Sequence, residues 1–170
     1  LTQSNHIRIS WRGSRERGRQ RRVTWDGTVR VEGCAVVSAK THSFDVIADG
    51  IVSQSASEIS FASKTTGDCD GLDIELNDAS SGVIVFDSAA GQATVSLANL
   101  SDANPRQKFD FGGVDMEVVI ERYPAAVSTL SLALNHVTTP PSQQAPYFVK
   151  ATQTDGQMAW ASPIWAGSNS

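Results

Sequence analysis

Asp68, Asp70 and Asp73 fall within six positions of one glycine-containing stretch, Thr65-Thr66-Gly67-Asp68-Cys69-Asp70-Gly71-Leu72-Asp73. Hard carboxylate oxygens at that spacing can fold around Ca²⁺. The stretch departs from an EF-hand loop, because no Glu stands at the twelfth place and a strand rather than a helix follows. Asp and Gly also build ordinary turns, so an Asx-type turn is the competing reading. A second group is cationic: Arg12, Arg15, Arg17, Arg19, Arg21 and Arg22 lie within positions 12–22. Less Glu16 they give +5, and the whole-chain charge of −4 leaves −9 for the remainder. Guanidinium forks grip two oxygens at once, so a focused positive loop suits phosphate, sulfate or carboxylate groups on a ligand or partner. The alternative is a solvated hairpin loop with its arginine stems lying over Trp11 and Trp25.

Four tryptophans, Trp11, Trp25, Trp160 and Trp165, sit near the two ends of the chain. Exposed, they would stack on sugar rings; buried among Ile7, Ile9 and Val23, they would close a core, and the alternation favours burial. Cys34 and Cys69 permit one disulfide in an oxidising compartment, each beside Gly or Asp at a strand end or turn. His6, His42 and His136 are scattered, each without a second His or Cys at ligand spacing, which argues against a zinc or two-metal centre. No Gly-x-Ser-x-Gly elbow or glycine-rich phosphate loop occurs, and Ser14 lies in the basic loop. Asp115 and Glu117 alternate on a strand and are expected on one solvated face rather than as a glycosidase pair. Catalytic residues: none are assigned, and the chain is not expected to be an enzyme by itself. Asn99-Leu100-Ser101 is a glycosylation acceptor pattern.

The elements that hold these residues are short strands. Apolar residues alternate at Ile7, Ile9, Trp11; Val23, Trp25; Val29, Val31; Ile59, Phe61; Leu72, Ile74, Leu76; Val83, Val85; Val95, Leu97; Phe109, Phe111; and Val118, Ile120. Turn residues separate many of them at the spacing of a sandwich. Tyr147 to Trp165 reads as a closing hairpin, two alternating arms about Asp155-Gly156, whose Gly supplies the positive φ of a tight turn. Between Tyr123 and Val137 the pattern fits a helix or a strand, with Leu130, Leu132 and Leu134 alternating as a strand would. A short helical turn is expected near 101–106. Pro140-Pro141 ends the preceding element, leaving 138–146 as a crossing loop. The expected fold is all-β: a two-sheet antiparallel sandwich, jelly-roll or Ig-like, of ten to twelve short strands. It forms one domain over 1–170, with the arginine loop at 12–22 and the closing hairpin at 146–165.

At 170 residues the chain can bury about two thirds of its unfolded surface in one core. Charged residues are only 19%, and the Ser, Thr, Gly and Ala-rich balance is that of many exported β-proteins, pointing to an extracellular or cell-surface location. No run approaches the roughly 18 apolar residues of a membrane span. Net acidity and the lack of aromatics interleaved with the arginines argue against nucleic acid. The opening Leu1-Thr-Gln-Ser-Asn suggests a processed product or a piece of a longer protein.

Ile9-Ser-Trp11-Arg12-Gly13, Val23-Thr-Trp25-Asp26-Gly27-Thr-Val-Arg-Val31, Thr65-Thr-Gly-Asp68-Cys-Asp70-Gly71 and Ala159-Trp160-Ala-Ser162-Pro163-Ile164-Trp165 together resemble a C-terminal β-sandwich region. It is that of bacterial and archaeal metallohydrolases of the polymerase-and-histidinol-phosphatase (PHP) type and related uncharacterised proteins. The resemblance covers most of the chain through turn and packing patterns. In such parents the His and Asp metal ligands lie in an upstream catalytic domain, so none is carried onto this chain. What it implies is a non-catalytic accessory or interaction domain that packs on a hydrolase, mediates assembly or contacts a polymer. Two readings of other classes stay open: a structural subunit of an extracellular fibre or layer assembling from identical copies by strand addition, and a carbohydrate-binding module using Trp rings and Ca²⁺ on a polysaccharide.

Overall fold

The computed structural model describes residues 4–18, 21–101, 103–123, 135, 144–152 and 158–167. The chain divides into two compact units, Leu1–Ser128 and Thr129–Ser170. In the first, the strands in chain order are β1 (His6–Ser14), β2 (Val23–Thr24), β3 (Gly27–Glu32), β4 (Val36–His42), β5 (Gly50–Gln54) and β6 (Glu58–Ala62). They continue with β7 (Lys64–Thr65), β8 (Cys69–Leu76), β9 (Val83–Ser88), β10 (Gly91–Ser96), β11 (Arg106–Gly112) and β12 (Val114–Tyr123). Ten of them form two five-stranded antiparallel sheets, ordered β11-β12-β1-β8-β4 and β10-β9-β3-β6-β5, while β2 pairs with β7. This is the all-β, two-sheet sandwich that the alternation predicts.

Period two sorts the side chains onto two faces. In β1, Ile7, Ile9 and Trp11 turn into the core; across β8 they meet Ile74, Leu72 and Asp70, and across β12 Ile9 and Trp11 meet Ile120 and Val118. The second sheet supplies Val29, Val31, Ile59, Phe61, Ile84, Phe86, Ala93 and Val95. Trp11 stacks on Phe61 at 4.6 Å between ring centres, and Trp25 stacks on Phe111 at 5.9 Å. Burying each such side chain contributes about 1.5–3 kcal/mol, the main force closing the sandwich. On the outer face of the first sheet the intervening positions pair as charges: Arg8 with Asp73, Arg12 with Glu117, and Arg106 with Glu121.

Several expectations are corrected by this geometry. Cys34 and Cys69 are both free thiols. Cys69 opens β8, whereas Leu76 at its far end pairs with Val36, two residues past Cys34. Seven residues of strand, about 23 Å, therefore separate them, and a disulfide needs Cα atoms within about 7 Å. Glu117 is buried rather than solvated, held between Arg12 and Lys108. Burial alone would raise its pKa, but hydrogen bonds from Lys108 and Arg12 bring it below the ordinary value. The short helical turn falls at Leu97–Asn99, earlier than 101–106, and leaves Asn99 exposed. Gly13, at φ +107°, sits where the β1–β12 register shifts; a Cβ there would stand 2.5 Å from the Asp115 carbonyl oxygen, so only Gly fits.

The second unit holds β13 (Ala145–Tyr147), β14 (Lys150–Thr152), β15 (Met158–Trp160) and β16 (Ile164–Ala166). β13 pairs with β16 and β14 with β15, both antiparallel, and Ala161 N–H donates to the Val149 carbonyl between them. These are the two arms of the expected closing hairpin. Its Asp155-Gly156 turn, all of the ambiguous Tyr123–Val137 window, His136 included, except Tyr123 and Asn135, and Pro140-Pro141 lie outside the described residues.

Candidate functional site

The period that fills the core with Leu72, Ile74 and Leu76 also turns Asp70 inward, at the end of β8 opposite Trp11. Asp70 is 1% exposed. The Asp45 loop and the Thr66–Asp68 turn bring two further carboxylates to it, and one oxygen from each of Asp45, Asp68 and Asp70 lies within 4.8 Å of the others. Asp45 and Asp68, with Asp49, Arg22 and Lys64, line an open cavity of about 390 Å³. The sequence-expected trio is thus split: Asp73 falls an odd number of residues from Asp70, on the outer face. There it accepts from Arg8 Nε at 2.6 Å and Arg8 Nη2 at 2.9 Å. Asp45 takes its place. Its only signal in the sequence was an Asp in a loop between two strands, which turns contain routinely.

Behind the carboxylates runs a buried chain of donors. Trp11 Nε1 donates to Ser63 Oγ at 2.8 Å, and Ser63 Oγ donates to Asp70 Oδ2 at 2.6 Å. Trp25 Nε1 donates to Thr65 Oγ1, which donates to the Gly13 carbonyl, both at 2.8 Å. Each buried indole N–H therefore has an acceptor, as burial in a low dielectric requires. Asp70 Oδ1 is different: buried, it makes no hydrogen bond among the described residues. Burial pushes the Asp70 pKa up to about 6, Ser63 opposes this, and the charges of Asp68, Asp45 and Asp49 add to it. With the folded value above the ordinary 3.8, folding takes up a proton between about pH 4 and 6. The stability contributed by this group is complete below pH 4 and is lost as pH rises through 6.

The arginine loop disperses its charge. Arg12 is tied to Glu117, while Arg15, Arg17, Arg21 and Arg22 are exposed and Arg19 lies outside the described residues. Arg15 N–H donates to the Arg21 carbonyl at 3.3 Å, closing the loop through the backbone. Arg22 lines the acidic cavity. Because exposed charges contribute little singly, replacing Arg15, Arg17 and Arg21 together with Ser is expected to change unfolding stability by less than about 1 kcal/mol. Urea denaturation checks this; a larger loss would place the loop in a structural ion-pair network.

The histidines do not assemble a catalytic group among the described residues. His42 Nδ1 stands 3.9 Å from Asp73 Oδ2, and burial, aided by Arg8, lowers its pKa. His6 lies against Tyr123. Burial raises the pKa of both Cys34 and Cys69, keeping them as thiols rather than thiolate nucleophiles. The tryptophans divide into two kinds: Trp11 and Trp25 are fully buried, whereas Trp160 and Trp165 are 58% and 59% exposed. Lys150 stands over the Trp160 ring at 5.6 Å. Phe148, Val149, Met158 and Ile164 in the same unit are also at least half exposed. Comparison with protein-family models, with curated proteins and with solved structures finds no match to this chain.

Proposed function

We propose that this chain is a non-catalytic interaction β-sandwich, an accessory domain of a larger, exported hydrolase-like protein, and that it docks through its C-terminal ribbon. The observation that carries this reading is the uncovered apolar surface of that ribbon: Phe148, Val149, Met158, Trp160, Ile164 and Trp165 are all at least half exposed. A two-stranded ribbon is marginal in water by itself, and exposed aromatic and Met side chains are the residues that interfaces enrich. A protein surface that covers them would stabilise both partners. The parent's catalytic domain is the occupant that the sequence resemblance suggests.

β1 is the third of five strands in its own sheet, hydrogen-bonded to β12 and β8 on its two sides. This counts against donation of the N-terminal strand to a neighbouring copy. The exposed Trp160 and Trp165 rings favour, as a second reading, stacking on a polysaccharide. Intact mass spectrometry of the native material, with light scattering after size exclusion, separates the three. The expected result is one polypeptide heavier than 18.1 kDa, from which Trp160→Ser/Trp165→Ser releases the hydrolase part to limited proteolysis. Regular polymers of the 18.1 kDa chain, or a monomer retarded in polysaccharide gels, would overturn it in favour of the fibre or carbohydrate reading.

A further inference from the structure

The acidic cluster beneath the 390 Å³ cavity carries an inference independent of that docking surface. We propose that Asp45, Asp68 and Asp70 form a Ca²⁺ site on the sandwich. Two separate observations meet there. Three carboxylate oxygens from two chain segments, the Asp45 loop and the Asp68–Asp70 stretch, lie within 4.8 Å of one another. One of the three residues, Asp70, is 1% exposed, and its Oδ1 is left without a hydrogen bond among the described residues while Oδ2 is satisfied by Ser63. A buried carboxylate oxygen without a donor costs about 1–3 kcal/mol or more, and a cation removes that cost by direct coordination.

The donor set selects the ion class. All three ligands are oxygens, and neither His nor Cys belongs to the group, so a hard divalent cation fits and a thiophilic one does not. Oxygens on opposite sides of Ca²⁺ stand about 5 Å apart, from metal–oxygen distances of about 2.3–2.6 Å; on Mg²⁺ they stand only about 4.2 Å apart. Separations below 4.8 Å admit either ion, and it is the count of three protein carboxylates that suits Ca²⁺, because Mg²⁺ keeps several waters and binds through one or two. Asp45 is exposed, so the site opens to solvent, where waters fill the remaining positions of a six- to eight-coordinate shell. Arg22 and Lys64 line the same cavity and temper its negative potential, which places the affinity in the about 10⁻⁴–10⁻³ M range of extracellular modules.

The geometry also provides a reporter. Trp11 Nε1 is joined to the Asp70 carboxylate through Ser63 by bonds of 2.8 and 2.6 Å, so its indole is only two hydrogen bonds from the proposed ligand. Tb³⁺, a hard ion that substitutes for Ca²⁺, would be sensitised by that ring.

The test uses the chelator-stripped chain at pH 7.5, titrated with Ca²⁺, Mg²⁺ and Tb³⁺ by calorimetry, thermal unfolding and Trp-excited Tb³⁺ emission. One Ca²⁺ per chain, a rise in Tm of about 3–10 °C at about 10 mM, and Tb³⁺ emission displaced by Ca²⁺ are expected. Asp45→Asn, at an exposed position that leaves the fold intact, should weaken binding at least tenfold. Asp70→Asn should abolish it while raising the metal-free Tm. Asp73→Asn, on the opposite face, should leave the Ca²⁺ affinity unchanged. Three results would overturn the proposal: no Ca²⁺-dependent heat or Tm shift, Mg²⁺ binding as tight as Ca²⁺, or unchanged affinity in Asp45→Asn. The first of these, with a raised Tm in Asp70→Asn, would mean that the cluster shares a proton instead.

Discussion

Arg122→Met is expected to lower unfolding stability by at least about 3 kcal/mol, a fall in Tm of about 6–12 °C for a chain of this size. Arg122 continues the inward face of β12 beyond Val118 and Ile120, and pairs in register with the core residue Ile7. Period two therefore drives a guanidinium into the end of the sandwich, where it is 7% exposed. There it gathers carbonyl oxygens from three separate segments. Nε donates to Leu100 at 2.8 Å, Nη2 to Ala79 at 2.6 Å and to Leu97 at 3.2 Å, and Nη1 to Ser4. Hydrogen bonds from a charged donor contribute about 1.5–3 kcal/mol each, and carbonyls stranded by its loss stay desolvated. Methionine matches the stem but offers no donor, so the N-terminal segment, the 79 loop and the 97–100 turn lose their common tie. Lysine can satisfy only part of the set and should fall between. Guanidinium denaturation measures the loss; a change below about 1 kcal/mol in Arg122→Met would show that packing alone holds those segments.

Trp11→Ala should cost about 3–5 kcal/mol, whereas Trp160→Ala and Trp165→Ala should each change the stability of the isolated chain by less than about 0.5 kcal/mol. Trp11 is fully buried and touches Phe44 edge-on at 6.1 Å, Phe61 at 4.6 Å and Phe86 at 5.4 Å. Its removal opens a cavity between the sheets that rigid neighbours cannot fill. It also takes away the indole N–H that Ser63 accepts. Trp11→Phe keeps most of the ring contact and isolates the hydrogen-bond part, for an intermediate loss of about 1–2 kcal/mol. Matched urea titrations of the four variants decide the matter. A Trp160 or Trp165 variant as damaging as Trp11→Ala would mean that those rings serve a core rather than a docking surface.

Local periodicity was enough to read much of the sandwich. A side chain in a strand alternates faces whatever the strand pairs with, so Ile7, Ile9 and Trp11, or Leu72, Ile74 and Leu76, declare a buried face from their spacing alone. The same rule, extended two residues back from Leu72, already separated inward Asp70 from outward Asp73. Nearness in sequence alone groups three carboxylates that the strand sends to opposite faces. β4 and β5 carry no clear alternation because they bury few of their residues, and exposed positions need no pattern.

By itself the sequence determined the all-β class, the inward and outward faces of most strands, and the two arms of the final hairpin, because each follows from side-chain alternation and turn chemistry within a few residues. The tertiary structure alone decided which distant residues meet. Sheet order put Asp45 beside Asp70, set Cys34 and Cys69 at opposite ends of β8, placed Arg122 over the carbonyls of three segments, and buried two tryptophans while leaving two exposed. Such contacts arise when long loops close to bury apolar surface. The energy that drives closure depends on total burial and not on the spacing of the residues it brings together.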